Sequence, residues 1–350
     1  MFRRLFKDFR FGVLPVPGRL IAIIFFVALF IIPLITHRPY NLFILTISNI
    51  FVIFAVSWDL LSGYSGQVNF GHALFFGVGA YTVGLLVKYF GLQPWATIPI
   101  GTLVATGIGV ATCIPALRLR GPYLSLLTMA FPLMLLGLVM AFKSITGGEF
   151  GIPNIPLLAG TYTARYYIVL VVMTASVLIM WKLSDAGSKY IRTGLLFHAI
   201  REDEIAARAS GINTIRYKIL AFVIGGFFCG LAGTLFVHMM GTVGLSYLEM
   251  TMSFQAIIFV VFGGIVSIYG GVIGVYVLYT LLQFLGVGGS TFIGKNQLLI
   301  MSVIVILVLL FMPEGVGVWI RDKIERECPR CKLTNGAWRH DCRACGASLR

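Results

Sequence analysis

Charge is what this sequence has least of. Only 11% of its 350 residues are Asp, Glu, Lys or Arg, roughly half of what a soluble domain carries. That scarcity excludes an ordinary soluble fold. Acidic residues number just 13 and histidines 5. No His-x-x-x-His, Ser/His/Asp grouping or carboxylate pair falls within the apolar runs, so the groups an intramembrane enzyme needs are missing. A nucleotide site of its own is missing too. Gly289-Ser-Thr-Phe-Ile-Gly294-Lys295 begins like a phosphate loop but meets Asn296 where a hydroxyl is required, and no strand precedes it. No small-residue cleavage site follows the basic start, so the first apolar run is expected to stay as a span.

What the chain has in excess is apolar length. It is 58% hydrophobic, with 40 glycines and a mean hydropathy of +0.93. This predicts an all-α polytopic membrane protein of about ten transmembrane helices, some broken or re-entrant, with a small C-terminal zinc ribbon. The spans are expected near Leu20–Thr36, Leu42–Leu61, Phe70–Tyr89, Pro94–Leu117, Tyr123–Phe142, Tyr166–Trp181, Ile219–Met240, Ser253–Ser267, Gly271–Leu285 and Gln297–Met312. A basic arm (1–19), a transmembrane domain (20–320) and a tail (321–350) follow from that division. The net charge of +14 could suggest nucleic acid, but its placement argues for a membrane. Of the 27 lysines and arginines, only Arg38, Lys88, Lys143, Arg165 and Lys295 fall on the far side of this ten-span topology. The positive-inside rule then puts both termini in the cytoplasm of a prokaryotic cell, with anionic lipid as the partner of the basic tail. No nucleic-acid partner is expected.

The longest polar interruption, residues 182–218, reads as a cytoplasmic loop. His198–Gly211 within it predicts a short amphipathic helix with Ile205, Ala209 and Ile212 on one face. Glu204 precedes Arg208 by four residues, the favourable order for an ion pair, and Gly211 stands where a left-handed terminus is wanted. Such a segment is either a solvated loop or a surface gripped by a soluble partner. His198, Arg201, Glu202, Asp203, Glu204, Arg208 and Gly211 would carry that contact.

From Ser57 to Gly84, helix-breaking residues cluster at membrane depth. Gly63, Gly66, Gly71, Gly77 and Gly79 are interleaved with Asp59, Gln67, Asn69 and His72. Freed backbone there must line water or be buried in protein, and transporters use such breaks to present polar groups to a solute. Asp59, Gly63, Gly66, Gln67, Asn69, His72 and Tyr81 are therefore candidate pathway residues. The alternative keeps Asp59 and His72 hydrated at the membrane surface. Gly226-x-x-x-Gly230 and Gly270-x-x-x-Gly274 are small-residue seams, for packing within the chain or against a second subunit.

The tail carries Cys328-x2-Cys331-x10-Cys342-x2-Cys345-Gly346. Paired C-x2-C knuckles suit structural zinc on four thiolates, and about twenty residues cannot hold a core without it. Thiol redox chemistry is the alternative, with His340 as an outside candidate ligand.

Several ordered motifs carry a resemblance. They are LLSGYSGQVNFGHALFFGVGAYT (from Leu60), LRLRGPYLSLLTMAF (from Leu117), TGGEFGIPNIP (from Thr146), AIREDEIAARASGINTIRYKILAFVIGGFFCGLAG (from Ala199) and FMPEGVGVWI (from Phe311). Together they resemble the permeases of branched-chain amino acid ABC transporters from the second span to Arg321. The resemblance implies one of two permease subunits of an ATP-driven importer. Two ATPase subunits would sit inside, spending the ATP and contacting the 182–218 loop, and a solute-binding protein would sit outside. Leucine, isoleucine and valine are the implied cargo, with urea or short amides carried by similar proteins. Asp59 departs from the family's more frequent Asn, and the cysteine tail is not part of its usual pattern. An ATP-independent channel and a zinc-ribbon receptor are the remaining alternatives.

Overall fold

Without water at membrane depth, a backbone must satisfy its own hydrogen bonds, and a chain this apolar does so as helices. The computed structural model describes residues 17–36, 38–117, 119, 121–185, 192–285, 296–329, 334–342 and 345–348. Its helices are α1 (Pro17–Ile35), α2 (Pro39–Trp58), α3 (His72–Phe90), α4 (Pro94–Ala116), α5 (Pro122–Ala141) and α6 (Tyr162–Ser184). Next come α7 (Thr193–Glu202), α8 (Glu204–Ala209), α9 (Thr214–Met240), α10 (Met250–Gly263), α11 (Ile268–Gly274), α12 (Leu281–Leu285), α13 (Gln297–Phe311) and α14 (Val316–Ile324). A two-stranded antiparallel hairpin closes the described chain, β1 (Glu325–Glu327) against β2 (Thr334–Gly336), with Arg326 opposite Asn335.

The all-α membrane class is as the composition predicts, but the expected ten spans are too many. Among the described residues, six helices are long and apolar enough to cross, or eight if each of two bent pairs counts once. The excess has two sources: the first expected span is a shorter apolar helix, Leu20–Ile35, and residues 250–285 supply the other. The two spans expected there form one pair bent by 110°, because Gly264 (φ +116°) and Val266 (φ +63°) turn the chain between α10 and α11. The rejected phosphate-loop segment lies outside the described residues.

α2 is the central helix. It continues as a π-helical stretch, Asp59–Tyr64, and the apolar window of this combined span is buried along its whole length. α6, α9 and α10 pack around it, with Phe54, Tyr166, Phe222 and Phe259 fully buried in the shared core. In lipid, helices are held by close fit and by polar contacts more than by a hydrophobic drive. Ser48 meets Thr280 at 2.6 Å, Tyr276 donates to Asn49 Oδ1, and the Tyr166 hydroxyl donates to the Leu29 carbonyl at 2.8 Å.

α9 packs on α3 and α4 almost backbone to backbone. A Cβ on Gly79 would lie 2.7 Å from the Gly230 carbonyl oxygen, and one on Gly233 would lie 2.2 Å from that of Phe76. Both small-residue seams work inside this chain: Gly226 faces the Phe75 ring, Gly230 faces Ala105, and Gly270 and Gly274 face carbonyls of residues 259–264. Helix propensity favours Ala over Gly by about 1 kcal/mol, but an added side chain at Gly233 meets rigid backbone. Gly233→Val is therefore expected to destabilise the protein by about 1–3 kcal/mol. A thermal midpoint equal to wild type in detergent would contradict this packing.

Candidate functional site

The loop expected to meet a partner folds from local signals. Asp203 is extended (φ −153°), and its Oδ1 accepts from the Ile205 and Ala206 amides at 2.8 and 3.0 Å. The carboxylate thus caps a new helix and interrupts the old one. The single helix expected over His198–Gly211 is in fact two, α7 and α8. α8 ends as the glycine predicts. Gly211 has φ +82°, its amide bonds to the Arg208 carbonyl, and the Ile212 amide bonds to that of Ala207, which is a Schellman closure.

Glu204 is the hub. It pairs with Arg208 one turn on, as its spacing predicts, and also receives Lys218 Nζ at 2.8 Å and Thr214 Oγ1 at 3.3 Å. Arg208 Nε donates to Thr214 Oγ1 at 3.0 Å. Lys218 and Thr214 belong to α9, so this network ties the short α8 to the first turns of a long packed helix. Local spacing could not reveal them, because Lys218 lies 14 residues from Glu204. Burial pushes the Glu204 carboxyl up, but hydrogen bonds from Lys218 and Arg208 outweigh it and hold the group below its usual range. The stabilisation is therefore complete above the ordinary carboxylate range and is lost as pH falls through the lowered native value. His198 packs its ring edge-on to Tyr64, 5.4 Å between centroids. Burial, then the charge of Arg201, lower its pKa against the pull of Glu202, which keeps the ring neutral at physiological pH.

α8 turns its apolar side outward: Ile205 is 72% exposed while Ala207 is buried. Asp203 and Glu202 are exposed. Arg201 lies against the turn at Gly66 (φ +71°), where a Cβ would come within 3.2 Å of the Arg201 Cα. Gly66, Gln67, Phe70, Arg201, Glu204 and Lys218 line one cavity of about 610 Å³. Arg201 lines a second, of about 360 Å³, beside Val266, Ser267 and Glu314.

The glycine-rich segment after α2 is buried. Asp59 and His72 are both fully inaccessible, so the hydrated alternative is overturned. The Asp59 carboxylate accepts the Val266 amide at 2.8 Å on one oxygen and the Ser267 amide at 3.0 Å on the other. These are donors left unpaired where α10 breaks from α11. Gly63 leaves room for this contact, since its Cβ would collide with Asp59 Oδ1. Asn69 turns the chain by accepting the Gly71 amide at 2.9 Å, its carbonyl receives Trp58 Nε1 at 2.7 Å, and Gln67 folds back on the Ser65 carbonyl. His72 Nε2 meets Ser57 Oγ at 2.9 Å. Tyr81 stands apart from these groups, nine residues up α3 and about 13 Å along it. Asn69 Nδ2, His72 Nδ1 and the Tyr81 hydroxyl are buried without a hydrogen-bond partner among the described residues, each a cost unless water or a solute meets it.

At the opposite end of α9, residues 152–158 run along its terminus. Ile152 pairs with Val243, and His238 Nδ1 meets the Pro156 carbonyl at 2.7 Å. Of the four cysteines in the tail, Cys328, Cys342 and Cys345 come together with all Sγ atoms within 4.8 Å of one another. Cys331 lies outside the described residues.

A broken apolar bundle agrees with the family that comparison finds. The family model described as "Branched-chain amino acid transport system / permease component" matches residues 40–312. The chain belongs to that family. It is 29% identical over 323 residues to the high-affinity branched-chain amino acid transport system permease protein LivM of Escherichia coli, covering 84% of this chain and 72% of that one. The Salmonella typhimurium LivM is 27% identical, with 83% and 72% covered. The probable branched-chain amino acid transport permease LivH of Methanocaldococcus jannaschii is 25% identical, with 77% and 89% covered. As a multi-pass membrane permease of this family, the chain places its Asp59 clamp within the matched region.

Removing that clamp has a defined expected cost. Asp59→Ala strands two buried amides at about 1–3 kcal/mol each, while Asp59→Asn keeps one acceptor oxygen and should lose less. Comparing thermal midpoints of the two variants in detergent tests this ranking. Equal stability of Asp59→Ala and wild type would sink it.

Proposed function

We propose that this chain is one of two permease subunits of an ATP-driven importer. It would translocate leucine, isoleucine and valine delivered by an extracytoplasmic solute-binding protein across a prokaryotic cell membrane. Two partner ATPase subunits would supply the energy. The observation that carries this reading is the family match over residues 40–312, combined with an elbow whose exposed Ile205 is wired by Glu204 into a buried helix. The basic residues of 182–218 support a cytoplasmic placement of that loop, and the contacts of Glu325 with Gly18 and of Arg201 with the cavity beside Glu314 and Arg321 support both ends lying on the same side.

In this mechanism the ATPase grips α7 and α8 through Ile205, Glu202 and Asp203. Glu204 passes the push to α9 through Lys218, Arg208 and Thr214, and Gly211 fixes the angle of the elbow. α9 carries α3 and α4 with it, because their backbones touch and leave no slack. His198 and Arg201 bear on Tyr64 and Gly66, the exit of the central span. The same motion would bias the Asp59-held break between closed and open arrangements. Gly63, Gly66, Gln67, Asn69, His72 and Tyr81 would line or support the path, and the unpaired polar atoms of Asn69, His72 and Tyr81 suit water or a passing zwitterion. Residues 143–165, at the far end, would meet the solute-binding protein. In the tail, Cys328, Cys331, Cys342 and Cys345 would hold structural zinc, beside a basic surface facing anionic lipid.

The test is labelled leucine uptake in vesicles holding the complete complex, alongside ATP hydrolysis. Glu204→Gln with Arg208→Ala should leave hydrolysis running while uptake falls roughly tenfold or more, the scale of a 1–3 kcal/mol coupling energy. Unaltered uptake would remove the coupling role. Uptake of urea in place of leucine by the wild type would reassign the cargo.

A further inference from the structure

The tail does more than follow the bundle; it meets both the first and the last of its described helices. β1 begins at the residue after α14 ends, and the Ala337 amide beside β2 donates to the Ile324 carbonyl at 2.7 Å. α14 and the turn before it pack on the broken span. A Cβ on Gly315 would lie 2.4 Å from the Gly264 backbone, Val318 touches Gly264, and Gly317 abuts the Gly263 carbonyl and Gly270. From β1, Glu325 Oε1 accepts the Gly18 amide at 2.8 Å, an anionic cap on an orphan donor in the first turn of α1. α1 in turn sets Phe25 edge-on to Tyr276, 5.0 Å between centroids, in the π-helical stretch (Val275–Thr280) that follows α11. The hairpin thus joins two elements that hold the second arm of the broken span, one at its hinge and one along its length.

That hairpin has little of its own to fold on. Its buried core among the described residues is Cys328 and Cys342, with Cys345 and Ala347 against them. Cys328 Sγ and Cys345 Sγ are 3.5 Å apart, near the edge of about 3.8 Å that a tetrahedron with 2.3 Å zinc–sulfur bonds would have. Asn335 is buried with Nδ2 3.6 Å from Cys342 Sγ, and Gly346 (φ +67°) returns its amide to the Cys342 carbonyl at 3.1 Å. The Asn335 amide is a donor turned toward a sulfur, as a thiolate site requires around it, and the Gly346 bond closes the turn beside it. Cys331, the remaining cysteine of the sequence pattern, lies outside the described residues.

We infer that the cysteine tail is a zinc-dependent clamp. Metal folds the hairpin, the hairpin seats Glu325 on the start of α1, and α1 with α14 then restrains the α10–α11 break. This rests on the zinc reading above and is independent of which solute is carried. Metal availability would thereby set how readily the broken span moves.

The experiment uses the full chain in its complex, reconstituted in nanodiscs, with zinc measured by elemental analysis and backbone motion by amide exchange. Wild type should carry about one zinc per chain. Cys342→Ser should lose it, and exchange at Gly18 and across residues 264–268 should quicken roughly tenfold as the clamp opens. Glu325→Ala should keep its zinc yet show the same quickening. A zinc-free wild type overturns the metal reading and the clamp together. Zinc present in wild type, with exchange at 264–268 unchanged in both variants, overturns the clamp and leaves the metal site standing. Neither readout depends on the cargo, so failure of leucine uptake leaves both interpretable.

Discussion

One carboxylate bridges two interrupted spans of this protein. Asp59 sits where α2 loosens into its π-helical end and accepts two amides where α10 gives way to α11. Backbone donors stranded at membrane depth are costly, and Val266, a β-branched residue at φ +63°, adds strain of about 1–3 kcal/mol. The clamp offsets both. It also fixes the arrangement around it: Gly63 must be bare to admit the carboxylate, Gly264 and Gly315 must be bare to let the last helix reach the same break, and Arg201 lines the adjacent cavity. The hinge, the central span and the charged elbow therefore share one small region.

Two kinds of contact spread from there, and they differ in stiffness. The α3–α4–α9 unit is packed through glycines with backbone against backbone, so it moves as a body. The elbow hangs on polar links from Glu204 to Arg208, Thr214 and Lys218, of which Thr214 and Lys218 are buried while the Arg208 side chain is 44% exposed. A half-exposed network holds an orientation yet can be pulled on from outside, and rigid packing behind it passes the displacement inward. The division suits a lever acting on a gate.

Legibility of the site followed the range of the interaction. The Glu204–Arg208 pair, the left-handed Gly211 and the clustering of helix breakers after Ser57 could all be read from neighbours a few residues apart. Asp203 as a cap was equally local, yet the apolar spacing of Ile205, Ala209 and Ile212 pointed to one continuous helix and masked it. Burial of Asp59 and His72 could not be read, since hydropathy places a polar residue near a span without saying whether it faces water or another helix. The span count erred for a related reason: two apolar runs of crossing length look alike whether they stand as two spans or fold as one bent pair.

The sequence by itself determined the helical membrane class, the polar breaks between runs, the ion pair on α8 and the thiol pattern of the tail. Each depends on composition or on spacing within a few turns. Only the tertiary structure decided that Asp59 answers amides more than 200 positions away, that Lys218 completes the Glu204 network, and that Glu325 meets the first turn of α1. Those pairings arise because buried polar groups must find partners wherever packing delivers them, and packing is a property of the whole bundle.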